Sequence, residues 1–237
     1  MVYDAWENPN AKRRVVIAFQ ALAVSPDCAD AYVVLAEATP SITEAMSFYL
    51  LGVSAGERAI GKKAFKEYTG GFWGVLETRP YMRARAGLAD CLREAGMLEP
   101  AVDHYKELLH LNPNDNQGVR DLLASCLLEL GRDDELEALL RQYEEDRSAT
   151  WKYAEAILAF RQESDSARSR DALEAAIESN THVPLYLLGK KRIPRELPQL
   201  YTYGEEDEAI IYAAANSEGW KRTPGALKWL AARSSNP

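Results

Sequence analysis

The chain repeats itself: Leu88-Ala89, Cys91-Leu92, Gly96 and Ala101 are matched 35 residues later by Leu123-Ala124, Cys126-Leu127, Gly131 and Leu136. A period of about 35 residues is the length of one helix-turn-helix unit, and a chain built of such units must stack them to bury their apolar faces. From Ala84 to Gly96 and from Leu98 to Leu111 apolar residues recur at steps of three and four with charges between them, the pattern of amphipathic helices. Glycine or proline is expected between helices rather than within them, as at Gly96, Asn112-Pro113 and Gly131, where they punctuate helix hairpins with short connections. Proline follows a second helix at Pro26, Pro113 and Pro184, the last pair lying 71 residues apart, which is two repeats.

The stretch from Met82 to Asp115 resembles one unit of the tetratricopeptide family. Ala89 stands at the small position of that family's helix A, Ala101 and Tyr105 at the small and bulky positions of helix B, Leu108 at the following apolar site and Pro113 at the terminator. Small residues are needed where two helices cross closely. Ala36 and Ala124 look like the equivalents in neighbouring repeats. A second resemblance covers nearly the whole chain. "AYVVLAEATPSITEAMSFYLLGVSAGERA", "HVPLYLLGKKRIP" and "DEAIIYAAANSEGWKRTPGALKWL" are similar to blocks of the suppressor-of-tumorigenicity family, of which this chain looks like a soluble, bacterial-type relative. That resemblance implies an adaptor-like role. The expected fold is all-α: a tetratricopeptide-like helix-hairpin solenoid, a right-handed superhelix of about five helix pairs. The array is expected over residues 1–187, with an insertion at about 57–80 that is an inserted loop or a helix extension, and residues 188–237 are expected to form a connecting loop and a C-terminal helical cap opened by Thr223-Pro224. The N-terminal "YDAWENP" is too short for a regular helix A, although the helix expected from Ala11 to Val24 needs a packing partner; this suggests a fragment of a longer polypeptide.

Composition narrows the function. With 28 Lys and Arg against 36 Asp and Glu the net charge is −8, an unfavourable balance for binding a phosphate backbone, so no nucleic-acid partner is expected. No run approaches the roughly 20 apolar residues of a membrane span, and no leader pattern opens the chain, so no membrane segment and a cytoplasmic location are expected. Cys28, Cys91 and Cys126 are odd in number and have no Cys-x-x-Cys spacing, which fits reduced thiols in a core better than a disulfide or zinc framework.

His104, His110 and His182 are scattered, and no nucleophile elbow, phosphate-cradling loop or zinc-protease helix is present. The expectation is a protein that is not an enzyme and takes no cofactor and no metal. The most distinctive polar cluster is "ETRPYMRAR", in which Arg79, Arg83 and Arg85 surround Tyr81 just after Trp73. Arginine forks grip carboxylates at two points, and Trp and Tyr add rigid apolar contact. In the tetratricopeptide register Arg83, Asp90, Arg93, Asp121 and Ser125 fall on the groove-lining face, so the candidate protein- or peptide-binding residues are these five with Arg79, Tyr81 and Trp73. The competing reading is internal: the arginines brace the insertion by pairing with Glu77, Asp90 or Glu94. The expected function is therefore a non-catalytic interaction scaffold or adaptor. The alternative is a regulatory or substrate-recruiting module of a longer enzyme polypeptide.

Overall fold

The computed structural model describes residues 2–234 and is helical throughout, with no strand among the described residues. In chain order the helices are α1 (Tyr3–Trp6), α2 (Ala11–Val24), α3 (Ala29–Ala38), α4 (Ile42–Tyr68), α5 (Arg79–Glu94), α6 (Leu98–Leu111), α7 (Val119–Leu130), α8 (Asp133–Gln142), α9 (Ala149–Glu163), α10 (Ala167–Ser179), α11 (Val183–Leu187), α12 (Glu206–Arg222) and α13 (Ala226–Arg233). Two compact units divide the chain, with the boundary inside α7 between Leu123 and Ala124.

Local chemistry starts several of these helices. The Asn10, Ser41 and Ser148 side chains each accept a bond from a backbone N–H three residues on, and Ser166 forms a reciprocal capping box with Ser169. The turns after α5 and α7 share one geometry. Gly96 and Gly131 have φ of 75° and 69°, Met97 N donates to Leu92 O (2.9 Å), and Arg132 N donates to Leu127 O (3.0 Å). Each turn is a Schellman motif that satisfies the last carbonyls of its helix, and a left-handed residue there is tolerated best when it is glycine.

In the first unit α2 rests on α1 and α3 through a core of Ala5, Ile17, Ala18, Ala21, Ala31, Val34 and Leu35. The short α1 is thus part of what α2 packs against. Helix α4 lies between α3 and α5, and α5 pairs with α6. Glycines set the α4–α5 approach: a Cβ on Gly52 would stand 3.0 Å from the Ala84 Cβ, and one on Gly56 only 2.7 Å from the Tyr81 Cβ. The expectation that glycine falls between helices fails here, because helices that cross this closely need a bare backbone at the crossing.

The stretch read as an insertion is largely a helix extension. Helix α4 runs on to Tyr68, broken at Gly61, whose φ of 73° and ψ of 154° belong to a region that glycine alone enters readily. Two 3₁₀ turns, Phe72–Gly74 and Leu76–Thr78, lead into α5. Phe65, Phe72 and Tyr81 gather there, with Phe65 centred 5.0 Å from each of the other two rings. Ala89 and Ala101 are completely buried.

In the second unit α9 packs on α10 and α12, and α12 packs on α11 and α13. Arg161 joins the ends of several helices: its Nη1 donates to Asp133 Oδ1 (2.7 Å), its Nη2 to Leu128 O (2.9 Å) and Gly219 O (3.3 Å), and its Nε to Thr223 Oγ1 (2.8 Å). Thr223 also donates to Gly219 O (2.8 Å) and caps the end of α12. It does not open α13, which begins only at Ala226 after Gly225 in the left-handed region (φ 84°). The physical reason is competition: the end of α12 leaves carbonyls to be satisfied, and the Thr223 hydroxyl reaches one of them. Trp220, Trp229 and Leu230 are buried, while residues 235–237 of the expected cap lie outside the described residues.

Helix α13 is tied to the α9–α10 connection by Asp165, which accepts from Arg170 Nε (3.0 Å), Arg233 Nη2 (3.0 Å) and Trp229 Nε1 (3.0 Å). The Arg170 bond, with Arg233 and Trp229, holds the Asp165 carboxyl down at about 2 against an ordinary 3.8. A folded value below the unfolded one means stability that is complete above the unfolded value and lost as pH falls toward the folded one. The stability difference between wild type and Asp165→Asn should therefore stay constant above about pH 5 and close between about pH 4 and 2. Urea unfolding at stepped pH measures it, and a gap still open at the acid end would refute the assignment.

Candidate partner-binding site

The candidate arginine strip lies on α5, which starts at Arg79 with Pro80 in its first turn, where a missing N–H costs nothing. Arg79, Arg83, Asp90 and Arg93 follow at steps of four, seven and three, so they share one helix face over about 21 Å. Trp73 sits in the 3₁₀ turn just before α5, and Asp121 and Ser125 sit on α7.

Arg79, Arg83 and Asp90 are engaged inside the protein. Arg79 Nε donates to Trp73 O (2.9 Å), and its guanidinium lies over the Trp73 ring at 5.4 Å. Arg83 grips Asp30 at two points, Nε to Oδ1 (2.8 Å) and Nη2 to Oδ2 (2.6 Å), and lies 5.4 Å from the centre of the Trp6 ring. Burial alone would lower the Arg83 pKa, but the Asp30 carboxylate carries it above the ordinary arginine value. Trp6 in turn donates from Nε1 to Glu37 Oε2 (2.9 Å), so the Arg83 contact also seats α1. Further along, Asp90 accepts from the Tyr105 hydroxyl (2.6 Å). Burial raises the Asp90 pKa, offset in part by the Tyr105 bond and the Arg93 charge, and burial raises Tyr105 as well.

Tyr81 is only 1% exposed and Ser125 only 5%, so neither reaches a ligand surface. The reason is local: Tyr81 fills the space over Gly56 and closes the aromatic cluster, with burial pushing its hydroxyl up to about 12. Arg79, Arg83, Asp90, Arg93 and Trp73 are half-buried, and Asp121 is half-buried on α7. Arg83 does have an internal carboxylate partner, and it is Asp30 rather than Glu77, Asp90 or Glu94. Sequence reasoning passed over Asp30 because an acid in the first turn of a helix already has a local explanation in the helix dipole. Trp6 and Glu37 were equally silent, since they are remote from each other in sequence, and Tyr105 was legible only as a bulky packing position.

Chemically the strip offers planar donors beside an indole and one carboxylate, groups capable of hydrogen bonds to carboxylates and of contact with apolar side chains. Burial lowers the His104 pKa, helped by the Arg85 charge, and burial raises the Cys91 thiol. Among the described residues no three His, Cys, Asp or Glu side chains are grouped to hold a metal ion, and no helix is long and apolar enough to cross a membrane.

Comparison with known proteins gives a consistent result. The family model described as "ST7 protein" matches residues 1–235. The "Suppressor of tumorigenicity 7 protein-like" of Danio rerio is 30% identical over 250 residues, covering 97% of this chain and 43% of the relative. Its counterpart in Homo sapiens is 30% identical over 253 residues, covering 97% and 44%. The "Protein ST7 homolog" of Drosophila melanogaster is 29% identical over 256 residues, covering 97% and 47%. The chain thus spans a little under half the length of these curated relatives.

Proposed function

The chain belongs to the ST7 protein family, and from that premise we propose that it is a non-catalytic scaffold or adaptor of the cytoplasm, binding a protein or peptide along a tetratricopeptide-like array. The observation that carries this reading is the duplicated hairpin turn. Gly96 and Gly131 stand 35 residues apart, and each closes its helix with the same hydrogen-bond pattern. A repeated turn of fixed geometry is what a right-handed solenoid of helix pairs requires, and such an array offers a preformed surface that loses little entropy on binding.

The α5 strip is the proposed contact region, with Arg93 and the Trp73–Arg79 pair as the parts to which a partner carboxylate and an apolar side chain would come. Arg83 and Asp90 hold that strip in place, and Asp121 on α7 extends the proposed surface. A partner recovered by affinity capture and then purified supplies the test. Its affinity should fall about tenfold for Arg93→Ala combined with Trp73→Ala, and should weaken as salt rises. Equal affinity for wild type and variant, with unchanged melting, would remove the strip from the binding surface.

A further inference from the structure

A separate cleft of about 740 Å³ opens between α4, on both sides of Gly61, and the end of α6. It lies within the scale of small-molecule sites, about 300–1,000 Å³. Its walls are fixed. Phe65 is locked against Phe72 and Tyr81, and Gly70 N donates to Leu111 O (3.0 Å), fastening the segment after α4 to the last residue of α6. Phe65 and Leu111 supply apolar lining, and the cavity is present before any ligand arrives.

Two of its charged residues already have partners. Arg58 pairs with Asp27 (2.7 Å), and Glu57 approaches Arg85 (4.0 Å). Lys62 and Lys66 also line the cleft, one turn apart, and neither has an acidic partner among the described residues. Lys66 stands in the last turn of α4, where a cation suits the helix dipole. Lys62 stands in the first turn after the break at Gly61, where that dipole opposes a cation, so helix stability does not account for it. A Cβ on Gly61 would meet nothing within 4 Å. The glycine is thus required by backbone conformation rather than by crowding, and the bend it permits shapes this cleft. On the α6 side the cleft carries Glu107 and His110.

We propose that this cleft binds a small amphipathic anion, a single apolar chain ending in a carboxylate, with the chain against Phe65 and Leu111 and the headgroup at Lys62 and Lys66. The site is independent of the α5 strip and of the scaffold reading. Glu107 is a brake on affinity: it opposes the anion from the other wall and favours a ligand whose charge sits at the α4 rim.

The full chain titrated by calorimetry below micelle formation decides the matter, with dodecanoate and dodecyltrimethylammonium as probes. Saturable one-to-one binding of dodecanoate is expected, at least about tenfold tighter than the cationic probe and weaker in high salt. Lys62→Ala with Lys66→Ala should lose about tenfold, and Glu107→Gln should gain affinity for dodecanoate. The three side chains can be changed without touching the core, so circular dichroism should be unaltered. No saturable binding, equal binding of both headgroups, or a lysine variant as tight as wild type would each overturn the proposal.

Discussion

Replacing Arg83 with alanine is expected to destabilise the protein by about 3–5 kcal/mol, among the largest single-residue effects in the chain. Asp30 is 2% exposed, and its two oxygens are held by the Arg83 Nε and Nη2. Removing the guanidinium strands a carboxylate away from water, and the Trp6 ring loses the cation beneath which it packs. Converting both partners to apolar residues, Arg83→Met with Asp30→Leu, should recover most of the loss, because no unpaired charge remains. Denaturant midpoints for the two single variants and the double variant measure the cycle. Unchanged midpoints for Arg83→Ala would mean that the pair contributes nothing. A positive result has a second use: weaker partner capture by an Arg83 variant then reports a disturbed fold, and Arg93 is the residue at which binding can be judged.

Gly56→Val should cost about 3 kcal/mol through the opposite failure, overfilling. The added Cβ alone would lie 2.7 Å from the Tyr81 Cβ and 3.1 Å from its Cα. The Cα cannot swing aside as a side-chain tip can, so α4 and α5 must separate and loosen the Phe65–Tyr81 contact between them. Glycine to alanine in an exposed helix usually stabilises by about 1 kcal/mol. Here even Gly56→Ala should destabilise, and that reversal of sign, read from urea unfolding, distinguishes a packed glycine from an idle one. A Gly56→Ala variant more stable than wild type would show that the helices accommodate the methyl group.

These two sites mark the boundary of what the sequence discloses. Periodicity and breakers are local, so the stretches Ala11–Val24 and Leu98–Leu111 could be read as the helices that became α2 and α6, and the turns at Gly96 and Gly131 could be matched from spacing alone. Glycine within a helix is ambiguous by the same local rules. Gly52, Gly56 and Gly87 have a reason to exist only once the neighbouring helix is in place, with the Tyr49 ring lying where a Gly87 Cβ would be. The arginine strip shared this limit. Its helix face was legible from the spacing of Arg79, Arg83, Asp90 and Arg93, whereas the carboxylate that claims Arg83 is 53 residues away and carries no local signal. The cleft beside Gly61 was hidden more deeply, since it depends on a bend inside a stretch that local patterning marks only as an insertion.

Arg161 couples the local opening of separate helix ends. One guanidinium satisfies carbonyls at Leu128 and Gly219 and an acid at Asp133, groups at the ends of three different helices. Helix ends ordinarily fray one at a time, each with its own small opening free energy. Here the α7 and α12 ends and the α8 start share a single anchor, so release of any one withdraws a bond on which the others depend. In native-state hydrogen exchange the amides near these three ends should lose protection together, at a common opening free energy, and Arg161→Lys should split that joint opening into separate ones.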